Sequence, residues 1–153
     1  MNKISERFLQ DLLEAPSPSG YEQPAAKIWR NYVKSHVDQM IPDVHGNSIA
    51  VLNPDAPFKF MLAGHIDEIG LIITHIDDKG YIYTAQIGGM DPNLLIGQRV
   101  QIVADKGPVL GVIGRKAIHQ MTPEERKKSV EMDNIWVDIG AANKKDALKR
   151  VAI

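Results

Sequence analysis

The chain has 153 residues, enough for one ordinary domain or two small ones and too few for a large multidomain enzyme. Hydrophobic residues make up 44% and charged residues 24%, as in a water-soluble globular chain. Aromatic residues are only 6%, which predicts an aliphatic core. The 18 basic and 19 acidic side chains give a net charge of -1, which argues against a general nucleic-acid-binding protein.

The sequence also bears on the cellular compartment in which the protein is expected. The sequence contains no cysteine, which excludes disulfides, thiolate metal ligands and a cysteine nucleophile. Apolar runs such as 69–73 are too short to span a bilayer. Glu6, Asp11 and Glu14 fall where a signal peptide would have its apolar segment. We therefore expect a soluble, cytoplasmic protein that has no membrane partner.

The amino-terminal part predicts two amphipathic helices. Apolar residues recur every four positions over 4–12, which indicates a helix with one apolar stripe. The run Pro16–Gly20 ends it, because proline cannot continue a helix. Ser19 and Glu22 have the spacing of a capping box, which predicts a second helix beginning near Tyr21.

Strand-like segments follow the two helices. The predicted strands are 48–52, 58–63, 70–76, 81–87, 99–103, 109–113 and 135–139. Before residue 68, long helices alternate with strands, as in a helix-covered sheet. After it, the strands are short and closely spaced, as in a small barrel or sandwich. The pattern predicts an α/β protein in which 1–67 is part of a three-layer domain and 68–150 is a separate β-rich unit.

Two further helices are predicted near the end of the chain. Thr122–Glu125 combines an N-cap, a proline at the first helical position and a capping glutamate. The adjacent carboxylates of Glu124 and Glu125 resemble a catalytic pair, but acidic residues favour the first turn of a helix. We therefore interpret both as residues of a helix start. A final helix is predicted over 144–151.

The most informative segment is an apolar run that leads into His65 and Asp67. If the chain stays extended, these two side chains project from the same side. Ligands of α/β sheets bind where strands end, and a histidine there can ligate a metal while a carboxylate fixes its ring. His75 and Asp77 have the same spacing but precede a Lys-Gly turn, where a solvated histidine is expected. Spacing alone therefore leaves open both a metal ligand and a histidine that merely ends a strand.

Seven short motifs carry a resemblance to a known family. They are Pro18–Glu22, Asp43–Asn47, Ala63–Gly70, Ile87–Pro92, Gly97–Val100, Gly111–Gly114 and Ile135–Ala141. In this order they resemble the amino-terminal part of the di-metal aminopeptidases that form tetrahedral dodecamers, which are also labelled glutamyl aminopeptidases or endoglucanases. Met90 departs from the pattern, since relatives often have an aromatic residue there.

The resemblance implies an architecture and a site. It implies that 1–67 belongs to a catalytic α/β domain of the zinc-peptidase type. It also implies that 68–150 is a β-rich, PDZ-like dimerisation insert and that 151–153 starts the return to the catalytic domain. In this interpretation His65 ligates one of two metal ions, zinc or cobalt, and Asp67 is a catalytic residue that orients His65. Two ions about 3.5–4 Å apart polarise the carbonyl that is hydrolysed.

The same resemblance places the remaining ligands and the general base beyond Ile153. We therefore expect a partial copy of a metal-dependent aminopeptidase that removes amino-terminal residues from peptides. Catalytic zinc usually needs three protein ligands, so the chain alone should have one weak or empty site and no turnover. A homo-oligomer, from dimer to dodecamer, is expected of the full-length protein. The alternative is a non-catalytic module for assembly or peptide binding. Three other histidines match no ligand position and are expected at the surface: His36, His45 and His119.

Overall fold

The computed structural model describes residues 2–153 and divides the chain into two compact units. The first unit runs to Glu68, and the second extends from Ile69 to Ile153. Among the described residues, no helix is long and apolar enough to cross a membrane. The roles given above to 1–67, 68–150 and 151–153 stay predictions.

Two helices pack together in the first unit. Helix α1 spans Lys3–Glu14 and helix α2 spans Gln23–Val33. The ring of Phe8 stacks on the ring of Tyr32, with centroids 3.8 Å apart and an interplanar angle of 13°. This stacking places the predicted apolar stripe of α1 against α2, so both predicted helices are confirmed.

The predicted capping box at the start of α2 is wrong. Glu22 is the N-cap residue, but its side chain makes no capping hydrogen bond, and Pro24 occupies the first turn. Ser19 does not cap the helix because its hydroxyl donates to Asp67 instead. A long-range contact has therefore replaced the local one that the spacing suggested.

A short antiparallel hairpin completes the regular structure of the first unit. Strand β1 (Gln39–Pro42) pairs with strand β2 (Ser48–Val51). The Asp43 carboxylate closes the turn by accepting hydrogen bonds from the backbone amides two and four residues later, each at 2.9 Å. The sequence predicted β2 but not β1.

The predicted strand 58–63 is wrong. These residues belong to no strand, and no described strand pairs with them. The apolar side chains in this segment are exposed, including Phe58 at 78% and Leu62 at 87%. An apolar run becomes a strand only beside a partner that takes up its backbone hydrogen bonds, and none of the described strands lies there.

The second unit is built on a five-stranded, curled antiparallel sheet. Its strands are β3 (Gly70–Ile76), β4 (Ile82–Ile87), β5 (Arg99–Ile102), β6 (Val109–Arg115) and β7 (Ile135–Asp138). Their order is β3-β4-β7-β6-β5, and every neighbouring pair is antiparallel. All five predicted strands of this unit are present, with ends that differ by at most two residues. The α/β class is therefore confirmed.

Aliphatic side chains fill the core of the second unit. Its buried members are Ile76, Ile82, Ile113, Val130, Ile135, Val137, Ile139, Ala147 and Val151. None of these is aromatic, as the composition predicted. Helix α4 (Lys144–Ala147) places Ala147 in this core and is shorter than the predicted 144–151.

The predicted capping box of the third helix is confirmed. Helix α3 spans Pro123–Lys127. The amide of Glu125 donates to the Thr122 hydroxyl at 3.1 Å, and the amide of Thr122 donates to the Glu125 carboxylate at 2.7 Å. Lys116 forms an ion pair with the same carboxylate at 2.9 Å. The Glu125 carboxylate therefore stabilises the start of helix α3, as the sequence indicated.

Candidate metal site

The loop between α1 and α2 is hydrogen-bonded to the segment that carries the candidate ligand. The amide of Glu68 donates to the carbonyl of Ser17 at 2.9 Å, and the amide of Ser19 donates to the carbonyl of Glu68 at 3.3 Å. The amide of buried Ser17 donates to the Glu68 carboxylate at 2.9 Å. Pro16 and Pro18 have no N–H group, so Ser17 and Ser19 supply the amides that donate to Glu68. The loop thereby fixes the backbone three residues after His65.

His65 and Asp67 meet as the spacing predicted. The Nδ1 atom of His65 lies 3.0 Å from Oδ1 of Asp67 and 3.0 Å from the backbone oxygen of Asp67. Both partners are acceptors when the carboxyl group is ionised, so Nδ1 is the ring nitrogen that donates and Nε2 is left to face another partner. The His65 side chain is 85% exposed, and its only hydrogen bonds among the described residues are those of Nδ1.

Asp67 has a second partner that the sequence analysis did not identify. The Ser19 hydroxyl donates to Oδ2 of Asp67 at 2.5 Å. This hydrogen bond is the main reason why the pKa of Asp67 lies below its ordinary value, and the hydrogen bond from His65 adds to the effect. Asp67 is therefore ionised near neutral pH. The Pro18–Glu22 motif had indicated the loop but not this contact.

The site opens onto a small hollow in the first unit. The hollow has a volume of about 210 Å³ and is lined by Leu12, Leu13, Ser17, His65, Ile66, Asp67 and Glu68. Within residues 2–153, no group of three or more histidine, aspartate or glutamate side chains is arranged to hold a metal ion. His65 thus has the features of one metal ligand, because one ring nitrogen has no partner among the described residues and the other contacts a carboxylate. The described residues do not provide the three protein ligands of a catalytic zinc site.

The same sequence spacing gives a different structure at His75. The His75 ring stacks on Tyr83, with centroids 4.5 Å apart. The Asp77 carboxylate accepts from the amides of Lys79 and Tyr81 at 3.0 and 2.8 Å, so it closes a turn and does not hold the histidine. His75 is exposed, as predicted, and so are the three histidines assigned to the surface: His36, His45 and His119.

Comparisons with known proteins identify close relatives. A family model described as M42 glutamyl aminopeptidase matches residues 46–153. The lysyl aminopeptidase of Pyrococcus furiosus is 34% identical over 146 residues, which is 94% of this chain and 42% of that protein.

Solved structures give the same result. The TET aminopeptidase of a marine sediment thaumarchaeon is 33% identical and matches with a TM-score of 0.94, over 99% of this chain and 43% of that one. The TET1 peptidase of Pyrococcus horikoshii, described as assembling into a tetrahedron or a large octahedral shell, is 33% identical with a TM-score of 0.83, over 96% of this chain and 44% of that one. The chain thus spans about two fifths of the length of the relatives that it matches. With most of its residues matched by the family model and nearly all of its fold shared with these structures, the chain belongs to the M42 glutamyl aminopeptidase family.

Proposed function

We propose that this chain forms part of the active site of a metal-dependent aminopeptidase that removes amino-terminal residues from peptides. The observation that carries the proposal is the contact between His65 Nδ1 and the Asp67 carboxylate, which leaves Nε2 open. Metal-ligating histidines commonly donate their other ring N–H to a carboxylate in this way. Family membership supports the reaction class, since the relatives are named as aminopeptidases.

In this proposal His65 holds one of two divalent ions, zinc or cobalt. Such ions, when bound, supply the Lewis acidity that polarises the scissile carbonyl. The role of Asp67 is to keep the proton on Nδ1 of His65 and to fix the orientation of the imidazole ring. Its negative charge also makes the imidazole a stronger donor toward a cation.

We further propose that the rest of the metal centre, including the general base, comes from residues outside this sequence. The support is the lack of a three-donor group within residues 2–153, together with coverage of only about two fifths of the relatives. We call the polypeptide that contains both this chain and those residues the complete protein. The chain alone should hold a metal ion weakly and should not turn over peptides.

The wider architecture is also part of the proposal. Residues 1–67 would belong to a three-layer catalytic domain, 68–150 would be a PDZ-like dimerisation insert, and 151–153 would start the return to the catalytic domain. The exposed apolar side chains from Phe58 to Leu62 support this, because a contiguous apolar surface of this kind is normally covered by another part of a protein. The complete protein would be a cytoplasmic homo-oligomer, between a dimer and a dodecamer, acting on peptide substrates.

An activity assay on matched variants tests the function. The complete protein should hydrolyse unblocked aminoacyl-p-nitroanilides and lose this activity to a chelator. His65→Ala should remove most of the activity. His75→Ala should leave it unchanged, because His75 has the same sequence spacing but stacks on Tyr83.

Two results would contradict the proposal. A complete protein without chelator-sensitive hydrolysis, whose His65→Ala variant binds metal like the parent, would favour the non-catalytic assembly or peptide-binding module. Robust hydrolysis by the 153-residue chain alone would show that the centre needs no further residues.

A further inference from the structure

The Ser19 hydroxyl occupies the carboxylate oxygen of Asp67 that His65 does not use. Oδ2 of Asp67 accepts from Ser19 at 2.5 Å, and Oδ1 faces His65 Nδ1 at 3.0 Å. A carboxylate held at both oxygens cannot rotate about its Cβ–Cγ bond without breaking one contact. Ser19 therefore determines where Oδ1 lies.

That position matters because His65 has two competing acceptors. The backbone oxygen of Asp67 lies at the same 3.0 Å from Nδ1 as the carboxylate oxygen does. If the carboxylate turned away, Nδ1 would still donate to the backbone oxygen, but the ring would lose the negative charge behind it. From this geometry we propose that Ser19 is a positioning residue, which acts through Asp67 to aim Nε2 of His65 at a divalent cation. The inference rests on the proposed function of His65.

The hydroxyl can be removed without dismantling the loop. Three other hydrogen bonds hold Ser17 and Ser19 to Glu68, and none of them uses the Ser19 side chain. The amide of Tyr21 also donates to the carbonyl of Pro18 at 2.7 Å, which keeps the turn closed. Ser19 is exposed, so its truncation leaves no buried cavity. A substitution at Ser19 therefore probes the hydroxyl and not the fold.

Metal affinity of the complete protein is the readout that separates this role from a structural one. It can be measured by competition for Zn²⁺ with a chromophoric chelator, alongside kcat and KM. Ser19→Ala should weaken the binding of one Zn²⁺ ion on the order of 10-fold, at the low end of the effect of losing a hydrogen-bond partner behind a metal ligand. KM should stay the same while kcat falls, because the proposed role of Ser19 is exerted through Asp67 and not through substrate binding. Ser48→Ala, which removes the acceptor of a hydrogen bond from Arg30, is the matched control and should bind like the parent.

A nearly isosteric pair tests the hydroxyl itself, even if Ser19→Ala does not fold. Ser19→Thr keeps the hydroxyl and should retain most of the affinity, whereas Ser19→Val has a similar shape without it and should bind like Ser19→Ala. Equal affinity of the threonine and valine variants would overturn the positioning role. So would parental affinity in Ser19→Val while His65→Ala has lost its metal, and the proposed function would then survive. If His65→Ala binds metal like the parent, the proposed function and this inference are both wrong.

Discussion

The close approach of strand β6 to strand β7 at Gly111 gives a sharp test of the fold. A Cβ atom added to Gly111 would lie 2.5 Å from Cγ1 of Val137, 3.1 Å from Cγ2 of Ile139 and 3.2 Å from the backbone oxygen of Asp138. Separations below 3.0 Å essentially never occur for real Cβ atoms, so something must shift. Val137 is buried and cannot turn away into solvent. Gly111→Ala should therefore lower the free energy of unfolding of the second unit by about 1–3 kcal/mol, the usual cost of overpacking a core.

Urea unfolding followed by circular dichroism measures this change. The matched control is Gly89→Ala, where an added Cβ meets nothing within 4 Å. Losing a glycine restricts the unfolded chain, so the control should be neutral or more stable by up to about 1 kcal/mol. For a domain of this size, the destabilisation of Gly111→Ala corresponds to a fall in Tm of roughly 4–8 °C for each kcal/mol. A Gly111→Ala variant as stable as the Gly89→Ala control would refute the packing between β6 and β7.

Four further predictions concern the helix cap, the pH dependence of that cap, the ligand-orienting carboxylate and the exposed apolar segment. Thr122→Ala should reduce hydrogen-exchange protection in α3, because the loss of an N-cap costs about 1 kcal/mol; unchanged exchange would refute the capping role. The amide of Thr122 is the main cause that keeps the pKa of Glu125 below its ordinary value of 4.5, so this carboxylate stabilises the helix above that pH. The hydrogen-exchange protection of α3 should therefore be lost as the pH falls through the lowered pKa of Glu125. Protection that does not change over this pH range would contradict the role of Glu125 in the cap. Asp67→Asn keeps an acceptor for the histidine but loses the charge, so metal should stay bound with affinity or activity about 10- to 100-fold lower; parental values would argue against the orienting role. The exposed apolar segment Phe58–Leu62 should bind a hydrophobic dye and promote self-association of the 153-residue chain, and Leu62→Lys should reduce both; unchanged light scattering and dye fluorescence would contradict this.

Local patterns were sufficient to predict most of the regular structure. The stripe of α1, the capping box of α3 and the strand-like segments of β3 to β7 are all encoded within short stretches of sequence, and each is present. The prediction of strand 58–63 was wrong because a strand depends on a neighbour that the local sequence does not contain. β1 was missed because it ends in Pro42, a residue that seldom lies within strands.

The candidate site shows the same limit at the level of single residues. His65 and Asp67 are two positions apart, so their pairing could be predicted from the sequence. Ser19 lies 48 residues from Asp67, and its spacing to Glu22 suggested a helix cap instead. The Gly111–Gly114 motif contributed to the family resemblance, but the sequence alone offered no physical reason for its first glycine. The structure provides one, because a side chain at Gly111 would clash with β7. Contacts between distant parts of the chain are what sequence spacing cannot provide.

The most direct measurement is a titration of the complete protein with Co²⁺, followed by visible absorption, for the parent and two histidine variants. His65→Ala should lose the binding of one of the two ions, together with the absorption change that accompanies it. His75→Ala should bind both ions like the parent, because its ring stacks on Tyr83 and the Asp77 carboxylate closes a turn. Parental binding in His65→Ala, or the same loss in both variants, would contradict the assignment of His65 as a metal ligand.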